Sequence, residues 1–116
     1  MSTPEKKVKD KVKALLAEHG AYHFMPATHG YGSSGVPDIA ACLHGRFIGI
    51  ECKANGGKPT ALQLRNLQLL SSAGGIAVLV DETGLDELDA LLTGVNKLNG
   101  GTFLDFLGNN ANERTD

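Results

Sequence analysis

The chain has 116 residues, 41% of them apolar and 21% charged, a balance that suits one folded domain and excludes a disordered or fibrous chain. No apolar run is long enough to span a bilayer, no apolar signal core follows the N-terminus, and Cys42 and Cys52 without a secretory context do not suggest a disulfide. A cytoplasmic protein with no membrane partner is expected. The net charge of −2 does not by itself call for nucleic acid, but it is unevenly spread: residues 1–66 carry nine Lys/Arg against five Asp/Glu, and residues 67–116 carry two against eight. A basic front half can meet phosphates while the acidic rear keeps the protein dissolved. Taken alone, the same lysines read better as the solvated face of a first helix.

That helix opens the chain. Ser2 is placed to cap it, Pro4 fits its first turn, and Glu5 stands at capping-box spacing from Ser2. Val8, Val12, Leu15 and Leu16 follow at helical spacing, and Gly20 ends the segment. Residues 21–27 read as a short strand, with Pro26 favouring an edge or an end. A Gly/Ser-rich loop covers 28–36. Two strands are predicted at 38–43 and 46–53, joined by a tight turn at His44-Gly45. After a loop at 54–59, Thr60 caps a second helix to about Ser72, with Leu62, Leu67, Leu69 and Leu70 available to the core. Residues 76–80 form a continuous apolar run, suited to a strand buried on both faces. A short acidic helix over about 84–93 follows. The order α-β-β-β-α-β predicts an α/β fold with a mixed β-sheet flanked by helices. The chain divides into a domain over 1–94 and a C-terminal tail over 95–116, whose Phe103, Leu104, Phe106 and Leu107 need cover from the domain or from a partner chain.

A turn centred on His44-Gly45 pairs residues whose numbers sum to 89, so Leu43 faces Arg46, Ala40 faces Gly49 and Asp38 faces Glu51. Opposed residues on one face have Cβ atoms about 5 Å apart, and like charges so placed repel. Such a pair is tolerated when it shares a proton or binds a cation. Hard divalent cations take oxygen ligands, and magnesium commonly uses one or two carboxylates. Alternation puts Phe47, Gly49, Glu51 and Lys53 on one face and Ile48, Ile50 and Cys52 on the other, the core side. Small Ala40 and Gly49 are expected to leave part of the charged face open. A lysine beside a metal site can orient or deprotonate a water. The Cys52 carbonyl lies between Glu51 and Lys53 and is a candidate further ligand.

Gly35-Val36-Pro37-Asp38, then Glu51-Cys52-Lys53, then Gln63, together with the stretch at Gly56-Gly57-Lys58-Pro59-Thr60, resembles the VRR-NUC family of the PD-(D/E)XK nucleases over roughly residues 5–82. The resemblance implies a restriction-endonuclease-like core and a magnesium- or manganese-dependent DNA endonuclease. It implies that Asp38, Glu51 and the Cys52 carbonyl hold the metal, that Lys53 positions the attacking water, and that Gln63 belongs to the site. Gln63 is equally the capping-box partner of Thr60. Glu5 matches an acidic residue on the family's first helix and is a further candidate ligand. A stand-alone chain this short resembles the bacteriophage members, which implies a homodimer acting on branched DNA such as a four-way junction, within the host cytoplasm. Lys6, Lys7, Lys58 and Arg65, with Ser33 and Ser34 near Asp38, are the expected DNA contacts. The alternative is a DNA-binding module of the same fold with weak catalysis. A nucleotide cofactor is not expected, since a P-loop would need glycine where Cys52 stands and a hydroxyl where Pro59 stands. A zinc site from the cysteines and histidines lacks motif spacing.

Overall fold

The computed structural model describes residues 2–27 and 35–99. Its elements are α1 (Pro4–Glu18), β1 (Tyr22–Phe24), β2 (Ile39–Leu43), β3 (Arg46–Cys52), α2 (Ala61–Ser72), β4 (Ile76–Val80) and α3 (Leu85–Asn99). The strands form one sheet in the order β1-β2-β3-β4. The first three are antiparallel and β4 is parallel to β3, with α2 as the crossover. The sheet is therefore mixed, as the element order predicts. No helix among the described residues is long and apolar enough to cross a membrane.

α1 and α3 cover one face of the sheet. Val8, Val12 and Leu16 recur every fourth residue on α1 and are buried with Leu88, Leu92 and Val95 of α3 against Ile39, Ala41, Leu43, Ile48, Ile50 and Cys52. Each large aliphatic side chain fully buried there contributes about 1.5–3 kcal/mol. α2 lies on the opposite face. There the absent side chain of Gly49 makes room for Leu70 and Pro37: a Cβ at this position would stand 2.8 Å from Leu70 Cδ1 and 3.1 Å from Pro37 Cγ.

The hairpin register is the predicted one, with Ala40 opposite Gly49 and Leu43 opposite Arg46. Its turn has positive φ at both His44 (50°) and Gly45 (81°), the backbone that a two-residue hairpin with right-handed strand twist requires. A polar cluster braces this turn. His44 Nε2 meets Asn96 Oδ1 at 2.7 Å, Asn96 Nδ2 meets His19 Nδ1 at 2.9 Å, and His19 Nε2 meets Asp89 Oδ1 at 2.7 Å. The hairpin, the end of α1 and the body of α3 are thereby joined.

Several local expectations are corrected. The cap of α1 is Thr3, whose hydroxyl accepts from the Lys6 N–H at 3.1 Å, rather than Ser2. Glu5 is then one position short of the box and leaves the cap. Leu69 is exposed, because only the Leu67 and Leu70 side of α2 meets the sheet. β4 is an edge strand with Leu79 exposed, not a strand buried on both faces. The face around Ala40 and Gly49 is not open, since α2 and Pro37 fill it. α3 extends to Asn99, well past the predicted end near 93, and carries Val95 into the core. Its Leu88-Leu92-Val95 spacing continues the apolar stripe through Gly94. Phe103, Leu104, Phe106 and Leu107 lie outside the described residues.

Candidate active site

The charged end of the β2–β3 hairpin gathers the residues picked out by the PD…ExK spacing. Asp38 immediately precedes β2, Glu51 sits near the end of β3, and Lys53 follows that strand. The Asp38 carboxylate is anchored through Oδ2, which accepts from the Cys52 N–H at 2.9 Å. The Lys53 N–H continues the ladder by donating to the Val80 carbonyl at 2.9 Å. Both ends of the site are thus held by backbone.

Glu51 is the one charged residue in the buried interior among the described residues, at 1% exposure. Two cationic or donor groups meet its Oε2: the Gln63 Nε2 donates at 2.8 Å and the Lys53 ammonium stands at 3.6 Å. Oε1 is buried with no hydrogen-bond partner among the described residues. An unmet buried acceptor costs about 1–3 kcal/mol, and more when charged. Burial pushes the Glu51 carboxyl up to about 7, the neighbouring Asp38 charge adds to the rise, and Lys53 opposes it. Burial likewise pushes the Cys52 thiol up to about 12, with the Asp38 charge adding. A thiol so raised is protonated and inert at neutral pH. Cys52 therefore meets the site through its backbone, while its side chain packs in the core and Cys42 on the other face is exposed.

Gln63 makes both sets of contacts, closing the capping box of α2 and reaching Glu51. Its Oε1 accepts from the Thr60 N–H at 2.8 Å, its own N–H donates to Thr60 Oγ1 at 3.1 Å, and its Nε2 is the donor to Glu51. The capping box fixes the rotamer that aims the amide at the carboxylate.

Sequence reasoning passed over Lys9. Its ammonium stands 3.6 Å from Glu5 Oε2 and 3.7 Å from Asp38 Oδ1. The Glu5-to-Lys9 step of four residues was visible, but that spacing ordinarily marks a surface pair. Glu5 is consequently held toward Lys9, and among the described residues no group of three or more His, Cys, Asp or Glu is arranged to hold a metal. Asp38 and Glu51 remain as a two-carboxylate set. Of the expected DNA contacts, Lys6 is exposed and paired with Asp10 at 3.0 Å, and Lys7, Lys58 and Arg65 are exposed. Ser33 and Ser34 lie outside the described residues.

No family model matches the chain. A protein described as "Putative nuclease p44", from Acyrthosiphon pisum secondary endosymbiont phage 1, is 39% identical over 66 residues, which is 56% of this chain and 68% of that protein. A solved VRR_NUC domain superposes with a TM-score of 0.65 at 26% identity, covering 75% of this chain and 95% of its own. The chain belongs to the VRR-NUC family. A second VRR_NUC domain protein, at 20% identity and a TM-score of 0.62 over 84% of this chain and 92% of its own, shares the fold. So does Hjc from Archaeoglobus fulgidus, a Holliday junction resolvase, at 20% identity and a TM-score of 0.51 over 66% of this chain and 69% of its own. The VRR-NUC chain thus has the restriction-endonuclease-like fold that its motifs imply, and the PD…ExK residues of that family converge at one end of its sheet.

Proposed function

We propose that this VRR-NUC protein is a divalent-metal-dependent DNA endonuclease whose site is built from Asp38, Glu51, Lys53 and Gln63. The observation that carries the reading is Glu51: a buried carboxylate with one oxygen engaged and the other unpartnered among the described residues, beside a second carboxylate locked by the backbone. An unmet buried carboxylate oxygen is rare in a folded protein and marks a place where a water or an ion can complete the set. The donor set fits a hard cation, since Asp38 Oδ1 and Glu51 Oε1 are the two oxygens not taken by strong hydrogen bonds, and magnesium or manganese favours such oxygens. The Cys52 carbonyl is the further ligand we assign, and Glu5 is at most a ligand reached after Lys9 moves.

When bound, the ion supplies a Lewis acid beside the phosphate and acidifies the attacking water. The residues do the rest. Asp38 and Glu51 keep opposite sides of the site fixed. Lys53, held against Glu51, orients a water for attack on phosphorus and offsets charge as a bridging oxygen leaves. Gln63 keeps Glu51 in place without adding charge.

Lys6, Lys7, Lys58 and Arg65, with the Ser33-Ser34 segment, are the phosphate contacts we propose. A homodimer is the assembly we favour: Tyr22 and Phe24 on edge strand β1 are 72% and 50% exposed, and Phe47 is 47% exposed on the same face. An edge strand presenting aromatics invites pairing. A two-fold dimer would offer matched sites to a branched, two-fold substrate such as a four-way junction.

The test is cleavage of labelled single strand, duplex, flap and four-way junction with magnesium, manganese or EDTA. We expect metal-dependent cleavage strongest on the branched forms, and a loss of at least about a thousandfold in Asp38→Asn, on the scale of removing a charged group from a preorganised site. Binding without cleavage in every metal would leave a DNA-binding module instead. Full activity of Asp38→Asn at saturating metal would reject the site.

A further inference from the structure

Lys9 has no place in the motif, yet it faces the one oxygen of Asp38 that the backbone leaves available. Oδ2 is committed to the Cys52 N–H at 2.9 Å, and the Lys9 ammonium faces Oδ1 at 3.7 Å. The same ammonium faces Glu5 Oε2 at 3.6 Å. Both distances exceed hydrogen-bond length. On the same helix, Lys6 and Asp10 form a direct bond at 3.0 Å. Lys9 is therefore attracted to two carboxylates and locked to neither. Its side chain is 23% exposed, so the ammonium has a route to solvent along its own flexible stem. On the other side of the site, Lys53 faces Glu51 Oε2, which Gln63 already holds, and Oε1 is left free. The two lysines differ in consequence: Lys53 stands beside an oxygen that is already taken, Lys9 beside the oxygen a cation would need.

We propose that Lys9 is the resident counter-cation of this site: it neutralises Asp38 and Glu5 before a divalent ion arrives and is displaced from Asp38 Oδ1 as that ion binds. The inference rests on the reading of Asp38 as a metal ligand. It makes Lys9 a positioning residue with two opposed effects. Without metal it holds α1 and the Asp38 end of the hairpin together by screening the like charges of Glu5 and Asp38. With metal it competes, since a positive charge a few ångströms from a cation site weakens binding there.

The experiment measures manganese binding by calorimetry, with the metal alone and no DNA, on the full chain of wild type, Lys9→Met, Lys9→Arg and Asp38→Asn. Met and Arg both keep the helix propensity of Lys, and Lys9→Gln is a second neutral variant should Met disturb folding. The neutral variants are expected to bind manganese at least about threefold more tightly than wild type, a modest figure because Lys9 is partly solvated. Lys9→Arg should stay near wild type. In EDTA the neutral variants should melt below wild type and regain the difference at saturating manganese. Neutral variants that bind manganese equally or more weakly, while wild type binds and Asp38→Asn does not, would overturn the role of Lys9 alone. If wild type binds no manganese, or Asp38→Asn binds it as well as wild type, the metal reading of Asp38 falls and the inference falls with it.

Discussion

Two polar clusters stand at opposite ends of the hairpin, and they are built to different standards. At the turn, Asp89, His19, Asn96 and His44 form a chain of contacts of 2.7–2.9 Å in which each ring nitrogen and amide atom named has a partner. At the open end, Glu51 leaves one oxygen unmet, and the ion pairs of Lys9 and Lys53 stand at 3.6–3.7 Å. A satisfied network rigidifies a fold, whereas an unsatisfied one costs stability unless a missing group completes it. The difference separates a brace from a candidate site: among the described residues the brace is complete, and the candidate site is not.

Beyond Asp38→Asn, the largest expected contrast comes from Glu51→Gln, which keeps shape and removes charge. Cleavage should fall at least about a hundredfold, on the scale of a lost electrostatic group in an active site. Stability without metal should move the other way. The Glu51 carboxyl is raised from 4.5 to about 7, so the fold favours its protonated form. That contribution is fully present below about pH 4.5 and is lost as pH rises through about 7. Wild type in EDTA should thus be less stable at pH 8 than at pH 5 by up to about 3 kcal/mol from this group, and Glu51→Gln should flatten that slope. Urea unfolding at the two pH values checks it, and an unchanged slope in the variant would mean Glu51 is not the titrating group.

Breaking the brace should do the reverse. Asn96→Leu leaves the partly buried His19 and His44 rings without their amide partner, which should cost about 2 kcal/mol. Cleavage per folded molecule should remain that of wild type, because the brace touches no residue of the site. Thermal melts set beside turnover corrected for folded fraction separate the two, and a loss of turnover without a loss of stability would contradict the division.

The smallest effect tests Gln63, which touches both the cap of α2 and Glu51. Gln63→Glu keeps an oxygen to accept from the Thr60 N–H, so α2 should retain its cap. It replaces the donor to Glu51 Oε2 with a second carboxylate. Cleavage should drop roughly tenfold, the effect of a changed neighbour rather than a lost ligand, while helix content by circular dichroism stays the same. Unaltered cleavage would leave Gln63 a cap residue only.

Much of this was legible in the linear sequence because it depends on local rules. The His44-Gly45 turn sets a two-residue hairpin, and a two-residue hairpin leaves one register, so Asp38, Glu51 and Lys53 fall at one end of the sheet whatever packs around them. Thr60-x-x-Gln63 sets the start of α2 for the same reason. Tertiary structure decided the rest. Alternation placed Glu51 on the face away from the core, but only the packing of Pro37 and of Leu70 on α2 over Gly49 turned that face into a buried one. Gln63 acquired its second bond by the same docking. β4 read as a strand buried on both faces because an apolar run carries no mark of its place in a sheet, and its position at the edge depends on how many strands pair beyond it. Lys9 reads as half of a helical ion pair until α1 is laid across the hairpin and brings it to Asp38, a residue 29 positions away. Spacing determines which residues share an element; the approach of separate elements determines which charges they must share, because only there does burial remove the water that would otherwise screen them.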